Sequence, residues 1–133
     1  MKNESTVQFI IDLTTTGLED EELNRLAVTL LQQMKDSDEF EKVNRVAVED
    51  EDIPKDAKSI EGFIVGILMA EVNSQNIISA ISWLHRRLIG KTLKFTIKTP
   101  QGTEISLEGS TLKDIEALMQ KAEKFLNETE DPK

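Results

Sequence analysis

Ile60-Glu61-Gly62-Phe63-Ile64-Val65-Gly66-Ile67-Leu68-Met69-Ala70 opens a stretch that runs to Leu84 and exits on His85-Arg86-Arg87. From Gly62 to Leu84 only Glu71 is charged, and no further acidic residue appears before Glu104. Gly62, Gly66 and Ala70 recur every fourth residue. On a helix that spacing lines small residues along one side, where another backbone can approach closely. So read, the stretch is a packed helical pair. Ser59 suits the N-cap of the first helix. Asn73-Ser74-Gln75-Asn76 breaks it, and a second helix runs through Ile77, Ile78, Ile81, Leu84 and Leu88 to Gly90. The run also has the roughly 20-residue length of a membrane span. Glu71 and the four polar residues would then lie in hydrocarbon at substantial cost, so the soluble pair is preferred.

Outward from this centre, Val7, Phe9, Ile11 and Leu13 alternate with Gln8, Ile10 and Asp12, the period of a strand. Leu23, Leu26, Ala27, Leu30, Leu31 and Met34 follow helical spacing, with Glu19 to Glu22 where a helix N-terminus favours negative charge. Val43 to Val48 is a second short strand. A helix between two strands predicts a parallel βαβ unit. Beyond Gly90, Leu93, Phe95 and Ile97 alternate with lysines and threonines, and Ile105 and Leu107 with Glu104 and Glu108. Thr99-Pro100-Gln101-Gly102 between them makes a hairpin turn. Thr111 and Asp114 have capping-box spacing, ahead of a stripe of Leu112, Ile115, Leu118, Met119, Ala122, Phe125 and Leu126. The expected fold is α+β in the order β-α-β-α-α-β-β-α. It is a four-stranded mixed sheet covered by helices, a single domain over 4–127 with a frayed tail at 128–133.

The bulk composition suits one core. The chain has 133 residues, 38% hydrophobic and 31% charged, without cysteine. Disulfides, thiolate metal sites and thiol nucleophiles are therefore excluded, as befits a reducing cytoplasm. No secretory pattern is expected at the N-terminus, where Asp12 interrupts the short apolar run. The net charge of −9 falls entirely in residues 1–61, which hold 16 acids and 7 bases, whereas residues 62–133 hold 9 of each. The acidic half would repel nucleic acid and anionic lipid.

Chemistry is sparsely written. Glu49-Asp50-Glu51-Asp52 offers carboxylates but not the glycine turn of a calcium loop. His85 is the only imidazole and stands beside Arg86 and Arg87, which supply neither a nucleophile nor an orienting partner for a general base. No nucleophile elbow, phosphate loop or zinc-binding histidine pair appears. Trp83, the only tryptophan, stands beside Arg86 and Arg87 and near Lys91, Lys94 and Lys98. Bases stack on aromatic rings and phosphates meet arginines, yet an acidic chain without tyrosine is better suited to a protein partner. A solvated basic face over a core tryptophan is the plainer account of the same residues.

The succession of strand, helix, glycine-dotted apolar stretch, Trp83-Leu84-His85-Arg86-Arg87, and the hairpin from Leu93 to Leu107 resembles the effector-associated constant component family of bacterial conflict systems. Trp83, Arg86, Arg87 and Gly102 carry the resemblance, which spans nearly the whole chain; the Glu49–Asp52 loop has no part in it. It implies a small non-enzymatic partner of effector proteases or NTPase-coupled immune proteins, with no catalytic residues and no cofactor. The expectation is a cytoplasmic adaptor or regulatory component that docks on an effector protein through Trp83, Arg86, Arg87 and Lys91. The alternative is a homo-oligomeric scaffold packing through Gly62, Gly66 and Ala70. Neither nucleic acid nor membrane is expected as a partner, and no metal site is expected.

Overall fold

The computed structural model describes residues 6–47, 59–60 and 63–130. The strands are β1 (Thr6–Asp12), β2 (Glu41–Ala47), β3 (Ser59–Ile60), β4 (Phe63–Asn73), β5 (Leu93–Lys98) and β6 (Glu104–Gly109). The helices are α1 (Asp20–Lys35), α2 (Ile77–Arg87) and α3 (Leu112–Glu130). The class is α+β. Five strands form an antiparallel sheet in the order β2-β4-β1-β5-β6, and the two-residue β3 pairs with β4.

Three expectations are corrected. First, the stretch from Phe63 to Asn73 is one long strand, not a helix, and Ser59 lies in β3 rather than at a helix start. A strand buried on both faces carries apolar residues at every position and loses the alternation that marks a half-exposed one. Leu68, Ala70 and Val72 face the main core. On the other face, Ile67 and Met69 join Val46 and Ile10 in a second, smaller apolar cluster. The β-branched Val65, Ile67 and Val72 suit this pleated, two-sided burial.

Second, β1 and β2 do not pair. They run parallel, but β4 lies between them and is antiparallel to both. In the same way β1 lies between the parallel β4 and β5. Two interlocked split βαβ units result, the ferredoxin-like arrangement, extended here by β6 and α3. Third, among the described residues five strands follow one path, with β3 beside β4, and every pairing is antiparallel, rather than four strands in a mixed sheet. Helix α3 extends to Glu130.

The remaining elements follow their sequence patterns. On α1 the buried stripe is Leu23, Ala27, Leu30, Leu31 and Met34, with Asp20, Glu21 and Glu22 in the first turn to complement the helix dipole. Asn73 Oδ1 accepts from the Gln75 N–H, and one 3-10 turn at Ser74–Asn76 then leads into α2. Phe9, Ile11, Leu13, Phe95 and Ile97 are fully buried beneath the helices. Arg45 Nη2 donates to Asn24 Oδ1 at 2.6 Å, tying β2 to α1.

The capping box forms as the spacing predicts. Asp114 N–H donates to Thr111 Oγ1 at 3.1 Å, and Asp114 Oδ2 accepts from Ser110 N–H at 3.1 Å and from Thr111 N–H at 3.3 Å. The Ser110 donor first, and the Thr111 donor next, hold the Asp114 carboxyl below the usual carboxylate range. A depressed folded-state pKa gives stability that is complete above the unfolded-state pKa and is lost as pH falls through the folded-state value. The gap in melting temperature between wild type and Asp114→Asn should therefore be widest at neutral pH. It should close as the pH drops below about 4, and thermal melts across that range check it.

Candidate functional site

The strand directions place α2's C-terminus, the start of β5, the end of β6 and the start of α3 at one end of the sheet. The expected docking residues lie here, in different environments. Trp83 is buried at 6% exposure, edge-on to Phe40 with ring centroids 5.3 Å apart and planes 70° to each other. It fills the core beneath α2. The Arg87 guanidinium lies 3.9 Å from the centre of its ring, a cation–π contact that fixes the charge against the helix. Arg86 is exposed and donates from Nη1 to Ser82 Oγ at 2.7 Å, one helical turn back. His85 is half-buried in the same last turn, which suits cations.

The chain then turns sharply. Leu88 N–H donates to the Leu84 and His85 carbonyls, Lys91 N–H donates to Leu88 O at 2.8 Å, and Gly90 takes a left-handed φ of 84°. This turn holds Ile89 out at 69% exposure. Across from it, Thr92 Oγ1 and Ser110 Oγ share a hydrogen bond of 3.0 Å that joins the turn to the β6–α3 connection. Leu112 stands just beyond, at 64% exposure. Two large apolar side chains thus lie open at one end of the sheet, in company with the cations Arg86, Lys91 and Lys113.

The sequence reading missed both. Leu112 falls in phase with the buried stripe of α3, but as the first residue of the helix it precedes the turn that packs on β6. Ile89 sits between Leu88 and Gly90, where periodicity has already ended. The signal for it was an isoleucine in a glycine turn that closes no core.

The small-residue ladder resolves differently. Gly66 and Ala70 lie on β4 and are buried within the chain. Gly62 lies outside the described residues. Gly66 takes a φ of 86°, and a Cβ there would stand 2.8 Å from Leu23 Cδ2. The close packing is therefore between β4 and α1.

Other chemistry is scarce. The Glu49–Asp52 loop lies outside the described residues. Among the described residues no group of three histidine, cysteine or carboxylate side chains could hold a metal ion, and no helix is long and apolar enough to cross a membrane. A cleft of about 330 Å³ at the opposite end of the sheet is bordered by Gln8, Glu71, Lys98, Thr99, Pro100 and Gly102. These side chains place a carboxylate and an amine beside the hairpin turn. A general acid–base pair needs a reacting group held between its members; of the hydroxyls that line this cleft, Thr99 Oγ1 donates to Thr103 O at 3.3 Å. Comparison with family models, with curated proteins and with solved structures finds no match.

Proposed function

We propose that the chain is a non-enzymatic docking component, an adaptor or regulatory subunit that binds an effector protein at the end of the sheet where α2 runs out. The observation that supports this is that two large apolar side chains, Ile89 and Leu112, are exposed on the two connections that the Thr92–Ser110 bond joins, close in sequence to Arg86, Lys91 and Lys113. Protein interfaces are built from such apolar centres with polar rims. The cations call for an acidic margin on the partner. Trp83 serves from inside, as the seat on which Arg87 rests. The resemblance to the effector-associated constant component family supplies the partner's class, an effector protease or NTPase-coupled protein. The absence of cysteine suits work in the cytoplasm.

The test is co-purification of the tagged chain with the effector encoded beside it, comparing wild type with Ile89→Asp/Leu112→Asp. Both positions are exposed, so the double variant should melt within about 0.5 kcal/mol of wild type. The expected result is retention of the effector by wild type and a loss of at least about tenfold in the variant, the effect of interface anchors worth 1.4 kcal/mol or more. Equal retention, or none by either protein, would move docking off this end of the sheet.

A further inference from the structure

The two edges of the sheet differ in a way that the Ile89–Leu112 surface does not use. At the β2 edge the register with β4 slips twice, between Glu41 and Asn44 and between Arg45 and Ala47. Lys42 there has a φ of 51°. Bulges of this kind bend an edge away from further pairing. At the other edge β6 pairs with β5 through six consecutive residue pairs without a slip. Among the described residues no strand lies beyond it.

The phase of that ladder can be read from the hairpin. Thr99 N–H donates to Thr103 O at 2.8 Å, which makes Thr99 and Thr103 the hydrogen-bonded pair closing the turn. Bonded and non-bonded pairs alternate along an antiparallel ladder. Glu104 with Lys98, Ser106 with Thr96, and Glu108 with Lys94 are therefore non-bonded pairs. The 2.7 Å hydroxyl contact between Thr96 and Ser106 agrees, since side chains approach most closely in such pairs. The N–H and C=O groups of Glu104, Ser106 and Glu108 consequently point away from β5, along the free edge. Their side chains are all exposed, on the sheet face away from the helices.

We propose that this edge is a strand-addition site for a basic extended peptide, with Lys or Arg on both sides of a small hydroxyl residue at alternate positions. The sheet already shows what sits well against Glu-x-Ser-x-Glu, because β5 meets it with Lys-x-Thr-x-Lys. Across this face the signs alternate strand by strand. Asp12 on β1 lies 4.0 Å from Lys94 on β5, and Lys94 is opposite Glu108 on β6. One more strand continues the alternation if it is basic. Main-chain bonds from the three outward residues would supply affinity, and the two glutamates would choose the sequence. A second copy fits less well, because antiparallel self-pairing centred on Ser106 sets Glu104 against Glu108 twice. On the helix side, Ile105 and Phe125 are only half-buried, which leaves apolar surface for the underside of an added strand.

The probe is a fluorescent peptide copying Lys91–Thr99, measured by anisotropy against the full chain. Binding should weaken with salt, and about tenfold or more when the three peptide lysines become glutamates. Ser106→Pro removes one outward N–H and no ladder bond, so it should fold and lose the peptide. Glu104→Lys/Glu108→Lys leaves the backbone intact and should exchange preference to the acidic peptide. The proposal is overturned if wild type does not bind, or if both variants bind as wild type does. It is also overturned if the edge is occupied by a dimer that Ser106→Pro dissociates. None of these outcomes touches Ile89 or Leu112, so the docking surface at α2 stands or falls separately.

Discussion

Gly66→Ala should destabilise the chain by about 2–5 kcal/mol without changing its oligomeric state. Two costs combine. The residue has a φ of 86°, and a side chain in left-handed backbone costs about 1–2 kcal/mol. The added Cβ would also stand 2.8 Å from Leu23 Cδ2, 3.0 Å from Leu23 Cγ and 3.2 Å from Thr14 Cγ2. Overpacking of that kind costs about 1–3 kcal/mol. Relief is restricted because Leu23 is the first buried residue of α1, and Gly66 O accepts from Leu13 N–H at 2.7 Å where the β1–β4 ladder ends. Gly102→Ala is the control. Its φ of 95° carries the conformational cost, but nothing lies within 4 Å of the new carbon. Urea denaturation of both variants separates the terms, and the excess in Gly66→Ala measures the contact with α1. Equal midpoints would show that Leu23 yields freely. A dissociating dimer would return Gly66 to a surface between chains.

The same glycine shows where sequence reading fails. Gly62, Gly66 and Ala70 have helical spacing by arithmetic alone, since any residues four apart on a strand also share a face. What separates the two readings is where the apolar residues fall. A central strand with both faces covered shows neither period, and β4 is central. Its β-branched content was the remaining clue, against a run long enough to read as a helix. The other elements were legible for the converse reason. β5 and β6 each have one face toward solvent, so their alternation, turn and cross-strand charges are all visible. Helices α1 and α3 bury single stripes. The parallel direction of β1 and β2 was also readable, but the strand inserted between them was not. An insertion depends on where a later segment packs, and no local pattern records that. Of the site, the basic residues were visible as charge, and Trp83 was visible as an aromatic whose burial the sequence left open. Ile89 and Leu112 were hidden, because exposure of an apolar residue is decided by what fails to cover it.

Phe95→Ala should cost about 3–5 kcal/mol, the usual loss for emptying a phenylalanine site in a core. For a domain whose total stability is of order 5–15 kcal/mol, that is enough to leave part of the population unfolded at growth temperature. Phe95 is fully buried on β5, and its ring stacks on that of the equally buried Phe9 on β1, with centroids 5.0 Å apart and planes 9° to each other. The two are diagonal neighbours in the ladder, since Phe9 is opposite Ile97 and Phe95 opposite Ile11. Aromatic side chains reach across that diagonal. Phe9→Ala should cost a similar amount, and the double variant should fall short of the sum by about 0.5–1.5 kcal/mol, the coupling of a stacked pair. The coupling is the informative number. Either single loss would follow from any fold that buries phenylalanine, but coupling requires β1 and β5 to be neighbours. That adjacency closes the second split βαβ unit, with α2 crossing over β1 to deliver the chain to β5. Additive losses would set the two strands apart. They would also remove the geometry that brings the α2 exit and the β6–α3 turn together around Ile89 and Leu112.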